Sequence, residues 1–304
     1  MKLAITKDQI GMIVAKAHEH LAACVAAELA SGGWRTRMSP DEIIRLHMTP
    51  EKKDSRNEIS ELLSGILFSA QNRQDANRVI QGSVRGKWEG LRKLLLDFEP
   101  EKILSTWSNS DELFDYIRKA DEVGGAKRDD PRSRWPQFCK SVMSASQFIS
   151  RFRTAQEFIC WIETFTKTPD TAAALPLVLA EEIDGFGLAL ACDFLKELGY
   201  EQFPKPDIHI KRLAHRLRIS SANSDYMLLR DLMKLEPLLA SFKISLYGFD
   251  KYLWLIGSGR FYLVEEDGVE LSIGRQARPF LNRMRKAGYD VAEDAKADSE
   301  LAVE

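Results

Sequence analysis

Apolar side chains recur at three- and four-residue intervals along most of this chain, the period of an amphipathic helix. The pattern predicts helices over residues 7–30, 57–71, 74–81, 87–97, 100–106, 110–120, 137–150, 154–165, 171–183, 188–198, 207–217, 225–240, 249–257 and 276–287. Glycine and proline punctuate it at Gly124-Gly125, Pro131, Pro136, Pro169, Gly199, Pro204 and Pro206. One region reads differently. Phe261-Tyr262-Leu263-Val264 and Val269-Glu270-Leu271-Ser272-Ile273 flank Glu265-Glu266-Asp267-Gly268, the composition of a β-hairpin. Residues 124–136 read as a long surface loop. The expected class is all-α with at most a short C-terminal hairpin.

The 304 residues leave room for two domains. Hydrophobic residues at 44% and charged residues at 29% exclude wholesale disorder and fibrous repeats. The longest uncharged apolar run, residues 172–180, is far short of the ~20 residues that span a bilayer. The first eight residues lack the apolar core of a signal peptide, so a cytoplasmic protein without a membrane partner is expected. Cys24, Cys139, Cys160 and Cys192 are widely spaced, which argues against paired-cysteine metal sites and favours buried thiols. The net charge is −2, but from Asp290 to Glu304 six acids face the single base Lys296. That stretch carries −5 and the rest of the chain +3, so an acidic, frayed tail masks a basic body.

The candidate chemistry lies in residues 179–213, LAEEIDGFGLALACDFLKELGYEQFPKPDIHIKRL. A helix ends at Ile183, the turn Asp184-Gly185-Phe186-Gly187 follows, and a second helix starts at Leu188. This is a helix–hairpin–helix. Its glycines permit positive φ and remove Cβ atoms, so amides at the new helix N-terminus can approach a phosphate. Asp207 lies 20 residues after Gly187, at the start of the amphipathic IHIKRLAHRL. A carboxylate there is favoured by the helix dipole, whether as a plain N-cap or as a catalytic group.

These segments resemble the helix–hairpin–helix/Gly-Pro-Asp superfamily of DNA glycosylases, which includes endonuclease III and the 3-methyladenine and 8-oxoguanine glycosylases. Ile183-Asp184-Gly185-Phe186-Gly187 is similar to the family's L-P-G-hydrophobic-G hairpin. Pro206-Asp207-Ile208-His209-Ile210-Lys211-Arg212 is similar to V-D-T-H-I-x-R, which carries the essential aspartate. Leu63 to Gln71 resembles the L-L-S-A-Q helix end, and Trp254 to Phe261 resembles W-L-I-x-x-G-R-Y. The likeness covers residues 57–262 and is strongest at 179–213.

The resemblance implies a two-domain helical fold, with a central domain at 55–203 and a second domain of residues 1–54 and 204–304 flanking a cleft. It implies that Asp207 is catalytic and that Gln71 wedges into the duplex. It further implies that Gly185, Phe186, Gly187, Leu188 and Ala189 present amides to a DNA phosphate. The carbonyls of Glu181, Ile183 and Phe186 would ligate a monovalent cation. Lys211 and Arg212 follow as DNA contacts, with Arg216 and Arg218, the cluster Arg275, Arg278, Arg283 and Arg285, and Lys127, Arg128, Arg132 and Arg134 as further basic groups. Trp34 and Arg35 are the candidate base pocket, chosen among Trp34, Trp88, Trp135, Trp161, Tyr247 and Tyr252 because Gly32-Gly33 precedes them.

Two departures from the family matter. The Schiff-base lysine of bifunctional members would stand 18 residues before Asp207, where this chain has Ala189. Iron–sulfur cysteines are absent, with Leu263 where the first is expected. The implied protein is a monomeric, monofunctional enzyme acting on double-stranded DNA with a modified base, without a required cofactor. It would serve DNA repair or defence against phage DNA. The alternative is a non-catalytic helix–hairpin–helix DNA-binding protein.

Overall fold

The structure is a computed structural model that describes residues 5–32, 36–50, 58–72, 76–124, 134–262 and 270–293. The chain is all-α. In order the helices are α1 (Lys7–Ala30), α2 (Pro40–Met48), α3 (Ile59–Ala70), α4 (Ala76–Ser83), α5 (Lys87–Leu94), α6 (Pro100–Thr106), α7 (Ser110–Lys119) and α8 (Trp135–Ile149). They continue as α9 (Ala155–Phe165), α10 (Pro169–Glu182), α11 (Leu188–Glu197), α12 (Ile208–Arg216), α13 (Asp225–Met233), α14 (Glu236–Ala240), α15 (Leu246–Ser258) and α16 (Ala277–Lys286). Strands β1 (Arg260–Tyr262) and β2 (Glu270–Ser272) pair antiparallel, with Phe261 opposite Leu271.

Local chemistry sets the helix starts. Thr6 with Gln9 and Ser39 with Glu42 form capping boxes, and Asn109, Thr154, Thr168, Ser224 and Ser245 accept first-turn amides through their side chains. The chain divides into two compact units, Met1–Glu51 with Tyr200–Glu304, and Lys52–Gly199. The sequence reading put these boundaries at 54/55 and 203/204.

In the terminal unit, α1 packs on α2, α15 and α16, and α12 packs on α15. Ile10, Ile13, Leu21, Ile44, Ile210, Leu213, Leu253, Ile256 and Phe280 form its buried core. Among the described residues α1 alone is long and apolar enough to cross a bilayer, and its apolar face lies in this core. In the central unit, α8 packs against α3, α6 and α7, while α10 pairs with α11. Trp135 is buried and donates its indole N–H to Ser83 Oγ at 3.1 Å.

Several expectations are corrected. Helix α2 was not anticipated. Helix α8 begins at Trp135 because Pro136 sits in its first turn, where a missing amide costs nothing, so the expected loop ends earlier. The expected helix 225–240 is broken into α13 and α14, with Pro237 in the first turn of the second piece. Helix α15 stops at Gly259, whose φ of +70° is left-handed; a Cβ there would stand 1.9 Å from the Gly274 carbonyl oxygen. Cys160 is exposed rather than buried, and Cys24 is partly exposed. The start of the tail is not frayed: the Ala292 carbonyl accepts from Arg216 Nε at 2.8 Å, the Ala292 amide donates to the Arg216 carbonyl at 2.9 Å, and Val291 is buried. Residues 294–304 lie outside the described residues.

Candidate functional site

The hairpin between α10 and α11 belongs to the central unit. Ile183 ends α10, and Gly185, with φ of +71°, reverses the chain. The Phe186 amide closes the turn on the Ile183 carbonyl at 3.0 Å, and its buried ring meets Phe194 edge-on. Gly187 caps α11 with φ −66° and ψ 167°, a conformation open to any residue, so the expected positive φ holds at Gly185 only. What Gly187 supplies is room: no heavy atom lies within 4 Å of where its Cβ would stand. The amides of Gly187, Leu188 and Ala189 donate to nothing among the described residues, as expected of a helix N-terminus without a side-chain cap.

Two serines on α8 clamp this turn. Ser141 Oγ donates to the Asp184 carbonyl at 2.6 Å, and Ser144 Oγ accepts the Asp184 amide at 2.9 Å. Beside them, Arg151 makes a bidentate pair with Glu182 at 2.8 and 2.6 Å, and this guanidinium holds the Glu182 carboxyl below its ordinary range. The Ile183 carbonyl accepts the Phe186 amide, whereas those of Glu181 and Phe186 accept no amide from the turn. Neutral oxygen donors of this kind suit a hard cation. Among the described residues, no group of three or more His, Cys, Asp or Glu side chains is placed to hold a metal.

Asp207 belongs to the terminal unit and is the N-cap of α12. Its Oδ1 accepts the amides of His209 at 2.9 Å and Ile210 at 3.0 Å. Oδ2 accepts no hydrogen bond among the described residues, so one oxygen anchors the side chain and the other is available. Burial pushes the Asp207 carboxyl above its usual value, against the pull of Lys205, the Ile210 amide and His209, with Asp250 adding to the rise. Burial also lowers the His209 imidazole, and Arg275, Arg212 and Arg260 reinforce this against Asp207. Ile208, next in sequence, is a large apolar residue left 65% exposed.

The remaining expected residues fall into different settings. Gln71 is fully buried at the end of α3, and neither its Oε1 nor its Nε2 has a partner among the described residues, so the expected exposed wedge is corrected. Phe68, one turn earlier, is 44% exposed and meets Trp88 edge-on. Lys211 pairs with Asp225 at 2.7 Å, and Arg218 with Asp290. Arg216 is buried and serves the chain end. Arg212 is half-buried, and Arg283 approaches Glu19 at 3.6 Å. Trp135, Tyr247 and Tyr252 are buried. Trp34 and Arg35 lie outside the described residues, as do Lys127, Arg128 and Arg132. Sequence reasoning missed Ser141, Ser144 and Asp250. A lone carboxylate in the apolar run LYGFDKYLWLIG was the visible signal for Asp250. No family model, curated protein or solved structure matches this chain.

Proposed function

We propose that this protein is a monofunctional DNA glycosylase of the helix–hairpin–helix/Gly-Pro-Asp type. The observation that carries the reading is Asp207: a half-buried carboxylate, oriented through Oδ1 by two amides, whose Oδ2 accepts no hydrogen bond among the described residues. In the reaction the C1′–N bond of an extruded nucleotide breaks and its electron pair leaves with the base, building positive charge on the sugar. The Asp207 carboxylate faces that charge, and a raised pKa makes it a better base toward the attacking water. Water oxygen bonds to C1′, its proton passes by way of Asp207 to the departing base, and the products are a free base and an abasic site with the carboxylate restored.

The unpaired amides of Gly187, Leu188 and Ala189, beside the open space at Gly187, support phosphate binding by the hairpin. A monovalent cation on the carbonyls of Glu181, Ile183 and Phe186 would add positive charge there. Ala189 offers no amine, so no imine forms and the strand stays intact. With Gln71 buried, exposed Phe68 is the side chain we assign to the gap left by the extruded base. We place the protein in the cytoplasm as a monomer on duplex DNA, in repair or in defence against modified phage DNA.

The second reading, a non-catalytic DNA-binding protein, draws on the fact that capping α12 already accounts for Asp207 Oδ1. Base release separates the two. Purified protein is incubated with duplexes carrying alkylated, oxidised or hypermodified bases, and released base and alkali-revealed abasic sites are measured. Release that is lost in Asp207→Asn is expected. Salt-dependent DNA retention without release from any duplex would favour the binding protein, and strand scission without alkali or amine would overturn the role given to Ala189.

A further inference from the structure

Asp250 is 3% exposed, in the first half of α15, flanked by the buried Phe249 and Leu253. A carboxylate at that depth is costly unless hydrogen bonds compensate for lost hydration. Its Oδ1 accepts the amide of Lys205 at 2.8 Å. The chain then passes Pro206, and the Lys205 carbonyl accepts the Asp207 amide at 2.8 Å. Two hydrogen bonds therefore connect the Asp250 side chain to the Asp207 backbone through one residue. Pro206 between them has a fixed φ and no amide of its own to compete.

We propose that Asp250 is a positioning residue for Asp207: its buried acceptor oxygen holds the Lys205–Pro206–Asp207 turn and thereby sets where Asp207 Oδ2 points. The inference rests on the hydrolytic role of Asp207 proposed above. Electrostatics acts in the same place, since Asp250 adds negative charge toward Asp207 and helps burial keep that carboxyl high. The charged and titratable groups facing this corner are Lys205 from the turn, His209 and Arg212 from α12, Arg260 from β1 and Arg275 before α16. A capping group alone would leave the carboxylate free to turn with its helix end. Tying the preceding backbone to α15 removes that freedom, and a misplaced catalytic group costs about 10²-fold in rate.

The test uses the full chain with Asp250→Asn, which keeps an acceptor oxygen, and Asp250→Ala, which does not. Three quantities are read: Asp207 carboxyl titration by 13C NMR, exchange protection of the Lys205 and Asp207 amides, and the pH profile of base release. Asp250→Ala is expected to lose protection at both amides and about 10²-fold in kcat, with KM little changed. Asp250→Asn is expected to restore most protection and kcat while its Asp207 titration midpoint falls. Folded variants with unchanged Asp207 titration, exchange and kcat would overturn the proposal. Should Asp250→Ala not fold, wild-type titration and exchange in Asp250→Asn overturn it alone. A moved Asp207 titration in a protein that releases no base upholds the link between the two aspartates and sinks the hydrolytic reading instead.

Discussion

Gly257 packs directly against His209: a Cβ at Gly257 would stand 2.6 Å from the His209 Cβ and 3.1 Å from its Cγ. Helices α12 and α15 meet there as closely as a side chain permits. Gly257→Ala gains at most about 1 kcal/mol of helix propensity. Overpacking costs about 1–3 kcal/mol, so the clash wins. The variant is expected to melt several degrees lower and to lose base release, because His209 is held two residues from Asp207. An unchanged melting temperature would contradict this packing.

The hairpin glycines separate conformation from access. Gly185→Ala puts a Cβ on a left-handed residue and should cost about 1–2 kcal/mol. Gly187→Ala meets neither strain nor a neighbour and loses only the preference for glycine over alanine at an N-cap, so it should cost no more than about 1 kcal/mol. DNA affinity should nonetheless fall, since the methyl occupies the space assigned to a phosphate. Urea midpoints and DNA titrations of both variants check this, and full DNA affinity in Gly187→Ala would exclude phosphate contact at that residue.

Asp207→Asn distinguishes the cap from the catalyst. An asparagine oxygen can accept the His209 and Ile210 amides, so the cap survives. The folded protein holds the Asp207 carboxyl above its ordinary 3.8, which means that ionisation opposes folding. The stability from the protonated form is complete below that value and is lost as pH rises through the folded one. Asp207→Asn should therefore melt higher than wild type at pH 7, the difference vanishing toward pH 3, while base release falls about 10²–10⁴-fold. A variant less stable than wild type at neutral pH would reverse the sign argued here.

Gln71 and Phe68 make opposite predictions. The buried amide of Gln71 has no partner among the described residues, so Gln71→Leu should stabilise by about 1–3 kcal/mol in urea unfolding and leave base release intact. Phe68→Ala should change stability little but weaken binding to a duplex with an extruded base, since stacking contributes about 1–3 kcal/mol per base. Loss of release in Gln71→Leu with none in Phe68→Ala would return the wedge to Gln71.

Most helices were legible because their buried residues repeat with helical period. Helix α2 was not, although Ser39-Pro40-Asp41-Glu42 is a complete starting signal, because Ile43 and Ile44 are its only buried residues and leave no repeat. Pro136 reads in sequence as a breaker, yet in the structure it begins a helix. Gln71 shows a further limit: periodicity locates a helix end but not its depth. The cap at Asp207 follows from local pattern, whereas the hold of Asp250 on Lys205 crosses 45 residues and acts on a backbone amide that any residue type would supply.

The terminal unit is assembled from both ends of the chain, and this orders events at the ribosome. Helix α1 emerges early, yet α15 and α16, against which it packs, emerge roughly 200 residues later. At about 5–20 residues per second, α1 waits roughly 10–40 s with only α2 packed against it, while the contiguous central unit already has every partner it needs.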